Sequence, residues 1–257
     1  MTSESLVVIS KLKKPDNGFE ILKLGFCKLD EKISDTAVDQ LSQHANQLMR
    51  LEIYGEEDLQ EADKQNVVDF AAKMVESQEC IEELMLENIS TDFVEEPSQE
   101  ERRLINALLS LNCDKLRYLF LNENPSWFAH NEASSYLFEF IQETTCLLYL
   151  EMRDCKMTSE GTGKLFSALL KSESLKIIDF LILDGACDFS ADETCSIFAN
   201  FIDKATKRLF CSIHDQVGVR KIKVDYKKAE EDGKSGMIKI TDKDTEQLIL
   251  QVDTKTT

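Results

Sequence analysis

The feature that most constrains this chain is a spacing. Between Leu147 and Met157 the segment LLYLEMRDCKM sets apolar residues at positions 1, 4 and 6, a cysteine at 9 and an apolar residue at 11. Leu116, Leu119, Leu121 and Asn124 repeat that frame, and so do Phe19, Leu22, Leu24, Cys27 and Leu29. Leaner copies run through Leu48, Leu51 and Ile53, through Ile81, Leu84 and Leu86, and through Leu175, Ile178 and Phe180. Six copies begin at residues 19, 48, 81, 116, 147 and 175, at spacings of 29, 33, 35, 31 and 28. Self-similarity at such a period marks a stacked repeat architecture.

The physics of one unit is specific. Side chains alternate across a strand, so positions 4 and 6 share a face and point inward, while positions 3, 5 and 7 share the other. An Asn or Cys at position 9 turns the chain inward and satisfies backbone groups of a neighbouring turn. No unit can cover its own apolar face, so the units must stack.

The segments between copies read as helices. Ser98-Gln99-Glu100-Glu101 after Pro97 is a capping box leading into Leu104, Ile105, Leu108 and Leu109. Ser190-Ala191-Asp192-Glu193 reads as a second box before Ile197, Phe198, Phe201 and Ile202. Leu165, Ala168 and Leu169 share one helical face between copies five and six, as Val38, Leu41 and Ala45 do between copies one and two.

The pattern resembles the ribonuclease-inhibitor-like class of leucine-rich repeats, whose units are about 28 to 29 residues long. The stretch Leu147 to Leu175 matches that unit nearly throughout, including Thr158, Gly161, Leu165, Ala168 and Leu169. Departures are Glu56 at position 9 of copy two and Asn88 one place early in copy three. The resemblance covers roughly residues 19 to 210 and implies an α/β solenoid, with a parallel β-sheet inside and helices outside. It says little about function, because this fold is a general binding scaffold.

Residues 213–257 break the pattern. Val219 to Tyr226, Met237 to Ile240 and Leu248 to Val252 are β-prone, with a turn over Glu230 to Gly236. The expected division is an N-terminal cap over residues 1–18, with Leu6 to Leu12 as a short strand, then a solenoid over 19–212. A small β meander over 213–257 follows, either a cap on the stack or a separate extension.

Composition narrows the function classes. The 257 residues carry 30 Lys and Arg against 48 Asp and Glu, a net charge of −18 that lies wholly in residues 1–212. This argues against a nucleic-acid backbone or an anionic membrane surface as the main partner and favours a basic protein partner or simply high solubility. A hydrophobic fraction of 42% with 14 Phe excludes a disordered chain. The 8 Cys form no C-x-x-C pair and no zinc spacing, and of the 3 His (His44, His130, His214) neither His44 nor His130 has a sequence-adjacent Ser or Cys partner. Gly161-Thr162-Gly163-Lys164 glances at a phosphate loop but fails the motif at Thr158 and Leu165. The reading is of a non-enzymatic protein with no cofactor and no metal. Lacking an h-region or an apolar run of about 18 residues, it is expected in the cytoplasm or nucleus with reduced thiols and an unused sequon at Asn88.

Strand alternation maps a candidate site on the concave face: Arg50, Glu52 and Tyr54; Glu83, Met85 and Glu87; Tyr118, Phe120 and Asn122; Tyr149, Glu151 and Arg153. Ile21, Lys23 and Gly25 precede this strip, and Ile177, Asp179 and Leu181 follow it on the copy-six frame. Large aromatic side chains flanked by charge are what interface hot spots look like. The expected activity is capture of a protein partner on that face. Acidic clusters at Glu56 to Asp63 and at Glu95 to Glu101 read as solvated helix starts. The resemblance itself implies two regulator roles, inhibition of a ribonuclease or activation of the Ran GTPase, the latter with Arg153 and Asn122 or Asn124 as candidates. A structural subunit docking through the outer helices is the third reading.

Overall fold

A computed structural model of the chain describes residues 20–26, 33–44, 48–56, 59–78, 81–91, 97–111, 114–129, 131–205, 209–213, 222–227, 236–242 and 248–254. The N-terminal cap expected over 1–18, Cys27, Cys80, Cys113, His130 and His214 lie outside the described residues.

Seven strands form one parallel sheet in strict chain order: β1 (Ile21–Phe26), β2 (Arg50–Gly55), β3 (Glu83–Glu87), β4 (Tyr118–Phe120), β5 (Tyr149–Glu151), β6 (Phe180–Ile182) and β7 (Phe210–Ser212). Helices return the chain between them: α1 (Asp35–His44), α2 (Glu61–Glu76), α3 (Gln99–Ser110), α4 (Pro125–Ala129), α5 (Asn131–Glu143), α6 (Ser159–Lys171) and α7 (Asp192–Lys204). Parallel strands joined by right-handed crossovers in unbroken order place every helix on one side of the sheet. The other side is left open. Helices are about 10 Å wide and strands about 4.8 Å apart, so such a stack curves with the sheet inside. This is a leucine-rich-repeat-like α/β fold.

The register aligns equivalent positions across the sheet. Leu22, Leu51, Leu84, Leu119, Leu150 and Leu181 pair in one row, continued by Cys211. All six leucines are buried, as are Leu24, Ile53, Leu86, Leu121, Met152 and Leu183 one pleat further on. Positions 4 and 6 therefore point into the core against helices whose inner faces carry Val67, Phe70, Leu104, Leu108, Leu165 and Phe198.

Two sequence expectations change. The apolar spacing frames copy six on Leu175, which turns Leu181 outward. Instead Tyr149 pairs with Phe180 and Leu150 with Leu181, so Leu181 is buried and Phe180 is 47% exposed. The frame starts at Ile178, because the 3-10 turn Glu173–Lys176 takes up Leu175 before the strand begins. Left-handed backbone at Asn88, Glu123, Asp154 and Gly185 falls at position 8 of four successive units on the corrected frame. Gly185 has φ +69°, and a Cβ there would come within 2.3 Å of the Asp154 carboxylate, so glycine is the residue that fits without moving Asp154. Secondly, Ser190 does not cap: α7 starts at Asp192 from Ala191, without a side-chain cap. The Ser190 amide instead donates to Asp188.

The capping box at α3 is present in full. Ser98 accepts from the Glu101 amide at 3.1 Å, and Glu101 accepts from the Ser98 amide at 3.3 Å. The Glu101 carboxylate is fully buried and also accepts from the Thr91 amide at 2.9 Å and from the Trp127 indole at 3.1 Å. Burial pushes its pKa up against the pull of those donors. The cluster is thus a helix start with a structural carboxylate. Glu61 and Asp63 likewise sit in the first turn of α2.

At position 9, buried Asn124 accepts from the amides of Ile89 (3.0 Å) and Ser90 (2.9 Å) and donates to the carbonyls of Leu86 (2.8 Å) and Asn122 (2.9 Å). In the next unit Cys155 donates to the Leu121 carbonyl, and burial raises its thiol to about 12. It is a structural thiol.

Beyond β7 the strands β8 (Ile222–Lys227), β9 (Gly236–Asp242) and β10 (Leu248–Thr254) form a separate antiparallel sheet in the order β10, β9, β8.

Candidate functional site

The open face of the sheet is built from positions 3, 5 and 7. At position 3 of three consecutive strands stand Tyr118, Tyr149 and Phe180, paired directly in register. Adjacent rings lie 6.4 and 5.7 Å apart between centroids, and Phe120 stands 5.0 Å from Tyr149. Strand spacing alone dictates this contact, since aligned residues on one face of neighbouring strands come within ring reach. Tyr118 is 38% exposed, Phe180 is 47% exposed, and Phe120 and Tyr149 are half-buried.

A polar frame holds the centre. The Tyr149 hydroxyl donates to Glu151 Oε2 at 2.5 Å, and Asn122 Nδ2 donates to Glu151 Oε1 at 2.9 Å. Arg153 Nε lies 3.1 Å from the same Oε1. Asn122 Nδ2 also reaches Glu87 at 3.2 Å, while its Oδ1 accepts from the Arg153 amide at 2.8 Å. Burial first, then the bond to Glu151, pushes the Tyr149 phenol up to about 12, so it stays a neutral donor. This network orients Tyr149 at the middle of the aromatic row.

The β1–β3 end is charged. Glu52 carries Lys23 at 2.8 Å and Arg50 against its carboxylate, and Arg50 also reaches Glu83 at 3.3 Å. Lys23 Nζ sits 5.4 Å from the Tyr54 ring centroid. That ring lies over Gly25, where a Cβ would come within 2.6 Å of it, so the glycine makes room for Tyr54. Burial works to raise the Glu52 pKa, but the bonds and charges of Lys23 and Arg50 outweigh it and hold the carboxyl below its ordinary value. A depressed acid stabilises the fold above its unfolded pKa, near 4.5, and that contribution is lost as pH falls through the folded pKa. Thermal unfolding followed across that acid range should fall off less steeply for Glu52→Gln than for the wild type. An unchanged acid slope would contradict the assignment. Glu83 goes the other way: burial, reinforced by Glu52, raises it against Arg50.

Of the twelve residues expected on the concave face, ten lie in β2 to β5 at positions that alternate with the buried leucines, Asn122 and Arg153 follow the ends of β4 and β5, and the twelve divide by exposure. Glu52, Asn122 and Glu151 are 1%, 5% and 8% exposed, because Lys23, Arg50, Tyr149 and Arg153 close over them. They position neighbours rather than present themselves. Arg50, Tyr54, Glu83, Met85, Glu87, Tyr118, Phe120, Tyr149 and Arg153 retain exposure. Ile177, Asp179 and Leu181 give way to Phe180, Ile182 and Asp184 at copy six. Phe180, the most exposed ring of the row, was missed for that reason. The recurrence of a left-handed residue one place before position 9 is the signal that locates it.

Among the described residues no group of three or more His, Cys, Asp or Glu could hold a metal ion, and no helix is long and apolar enough to cross a membrane. No protein-family model matches the sequence, and no curated protein is similar to it. A solved structure with a related arrangement is the tropomodulin C-terminal domain from Caenorhabditis elegans. The likeness has a TM-score of 0.40 and 12% sequence identity, over 66% of this chain and 92% of that one. The repeat register within the chain itself defines it as a leucine-rich-repeat-like fold, and that is the class to which the open aromatic face belongs.

Proposed function

We propose that this chain is a non-enzymatic protein-binding module that captures a partner on the open face of its sheet. The observation that carries the reading is the row Tyr118, Tyr149 and Phe180, with Phe120 beside it, standing exposed or half-buried where the repeat needs no core residue. Rigid aromatic side chains lose little conformational entropy on binding and dominate interface energetics. The buried frame of Glu151 and Asn122 supports it by fixing Tyr149 in advance, which lowers the cost of ordering the surface. Unit membership in the ribonuclease-inhibitor-like class is part of the same proposal, resting on Thr158 capping α6 at 3.1 Å from the Gly161 amide. We further read residues 213–257 as a cap on the stack, since β10 runs beside α7.

The test is affinity capture from native extract with the wild type and with Tyr118→Ala plus Phe180→Ala. Both side chains are exposed, so the double variant should melt within about 1 kcal/mol of the wild type. It should lose the specific partner. Equal capture by both proteins would move the binding site off this face, and collapse of the double variant would place the rings in the core.

A further inference from the structure

The helical side of the stack holds a cavity between α3 and α5. Its volume is about 150 Å³, and it is lined by Pro97, Arg102, Ile105 and Asn106 on one side and by Ala133 and Tyr136 on the other. Space is left there because α3 packs less closely against α5 than against α2. Floor and mouth differ in character. Pro97, Ile105 and Ala133 are buried, while Asn106 and Tyr136 are exposed. Helical spacing sets the two walls, since Arg102 and Asn106 are four residues apart and Ala133 and Tyr136 three, so each pair shares a helix flank. Arg102 is engaged as part of the wall, its Nε donating to the Pro97 carbonyl at 3.2 Å. The Asn106 side chain and the Tyr136 hydroxyl have no hydrogen-bond partner among the described residues.

We infer that this cavity is an anchor pocket for one phenylalanine ring projecting from a peptide segment of a protein partner. A cavity of about 150 Å³ holds a single benzene ring. The floor of Pro97, Ile105 and Ala133 receives such a ring without leaving a buried polar group unpaired. At the mouth, Asn106 offers a donor and an acceptor and Tyr136 a hydroxyl, which suit the N–H and C=O groups that flank the ring on its own backbone. Charge selects in the same direction. Arg102 is the single charged residue of the lining, with no carboxylate beside it there, so a Lys or Arg side chain would find a like charge and no counter-ion. An acidic side chain would have to press its charge against the apolar floor. One bulky ring in a pocket, with polar groups around it, is the usual form of an interface anchor. The inference stands apart from the reading of the open face, because α3 and α5 lie on the other side of the sheet.

The experiment uses the full chain and three probes, N-acetylphenylalaninamide, N-acetylleucinamide and N-acetylalaninamide, with binding read by saturation-transfer NMR. The phenylalanine probe should bind with a dissociation constant on the order of 1 mM, and the other two more weakly. Ala133→Leu, which fills the floor, should weaken it about tenfold or more. Asn106→Ala should weaken it about threefold, one hydrogen bond being lost. Tyr118→Ala plus Phe180→Ala should leave it unchanged, because those rings lie on the open face. Thermal unfolding is checked for each variant, and if Ala133→Leu does not fold, Tyr136→Ala, which strips an exposed wall, takes its place. Failure of the phenylalanine probe to bind, or undiminished binding when the floor is filled or the wall stripped, would overturn the site. Loss of binding in the open-face variant would place the probe there instead and overturn it equally. Equal or tighter binding of the leucine or alanine probe would overturn the aromatic assignment, and an unaffected Asn106→Ala the peptide-borne one. The capture experiment on the open face is read separately, so either reading can fail while the other stands.

Discussion

Asn124→Ala should destabilise the protein more than any other single polar truncation among the described residues. The side chain satisfies four backbone groups at once, and the two amides it receives belong to Ile89 and Ser90, which are 0% and 2% exposed. An orphaned buried donor costs about 1 to 3 kcal/mol, so losing both amounts to about 2 to 6 kcal/mol. That is a large share of a typical stability of about 5 to 15 kcal/mol. Asn124→Cys should fall between the wild type and alanine. A thiol here can still donate to the Leu86 carbonyl, as Cys155 does to Leu121 in the next unit, but it offers the two amides little. Denaturant unfolding of the three proteins measures this ordering. A cost below about 1 kcal/mol for alanine would mean the turn is held by something else.

Leu150→Ala is the apolar counterpart. Leu150 is fully buried and sits in register between Leu119 and Leu181, so truncation opens a cavity along a row of leucines that runs from β1 to β6. Core truncations of this kind cost about 2 to 5 kcal/mol. Its position within the stack puts it toward the upper end of that range, because units on both sides share the loss. Tyr118→Ala, on the neighbouring strand one register position earlier and on the opposite face, should cost less than about 1 kcal/mol. Equal losses at the two sites would contradict the alternation on which the face depends.

Most of this architecture was legible in advance, for physical reasons. Leu119, Leu121 and Asn124, or Leu150, Met152 and Cys155, name a unit because slots 4 and 6 take buried apolar side chains and slot 9 one that donates to a carbonyl of the preceding unit. Copy six was misplaced because Leu175, Ile178 and Phe180 satisfy the same apolar spacing as Ile178, Leu181 and Leu183, and only pairing with β5 separates them. The seventh strand was invisible because Cys211 takes the leucine slot. At the site, alternation separates Tyr118, Phe120 and Tyr149 from the buried leucines beside them. Which of them stay exposed was not legible: the closing of Lys23 and Arg50 over Glu52, and of Tyr149 and Arg153 over Glu151, is a matter of side chains meeting across strands.

The central claim is that the rings of the repeat look outward while the leucines beside them look inward, and copy six tests it most sharply. Phe180→Cys and Leu181→Cys can be labelled in the native state with a thiol reagent, with the modified peptide read by mass spectrometry. The structure predicts rapid labelling at 180 and protection at 181 until the protein unfolds. Rapid labelling at 181 with protection at 180 would restore the frame starting at Leu175, turn Phe180 into the core and take the most exposed ring out of the aromatic row.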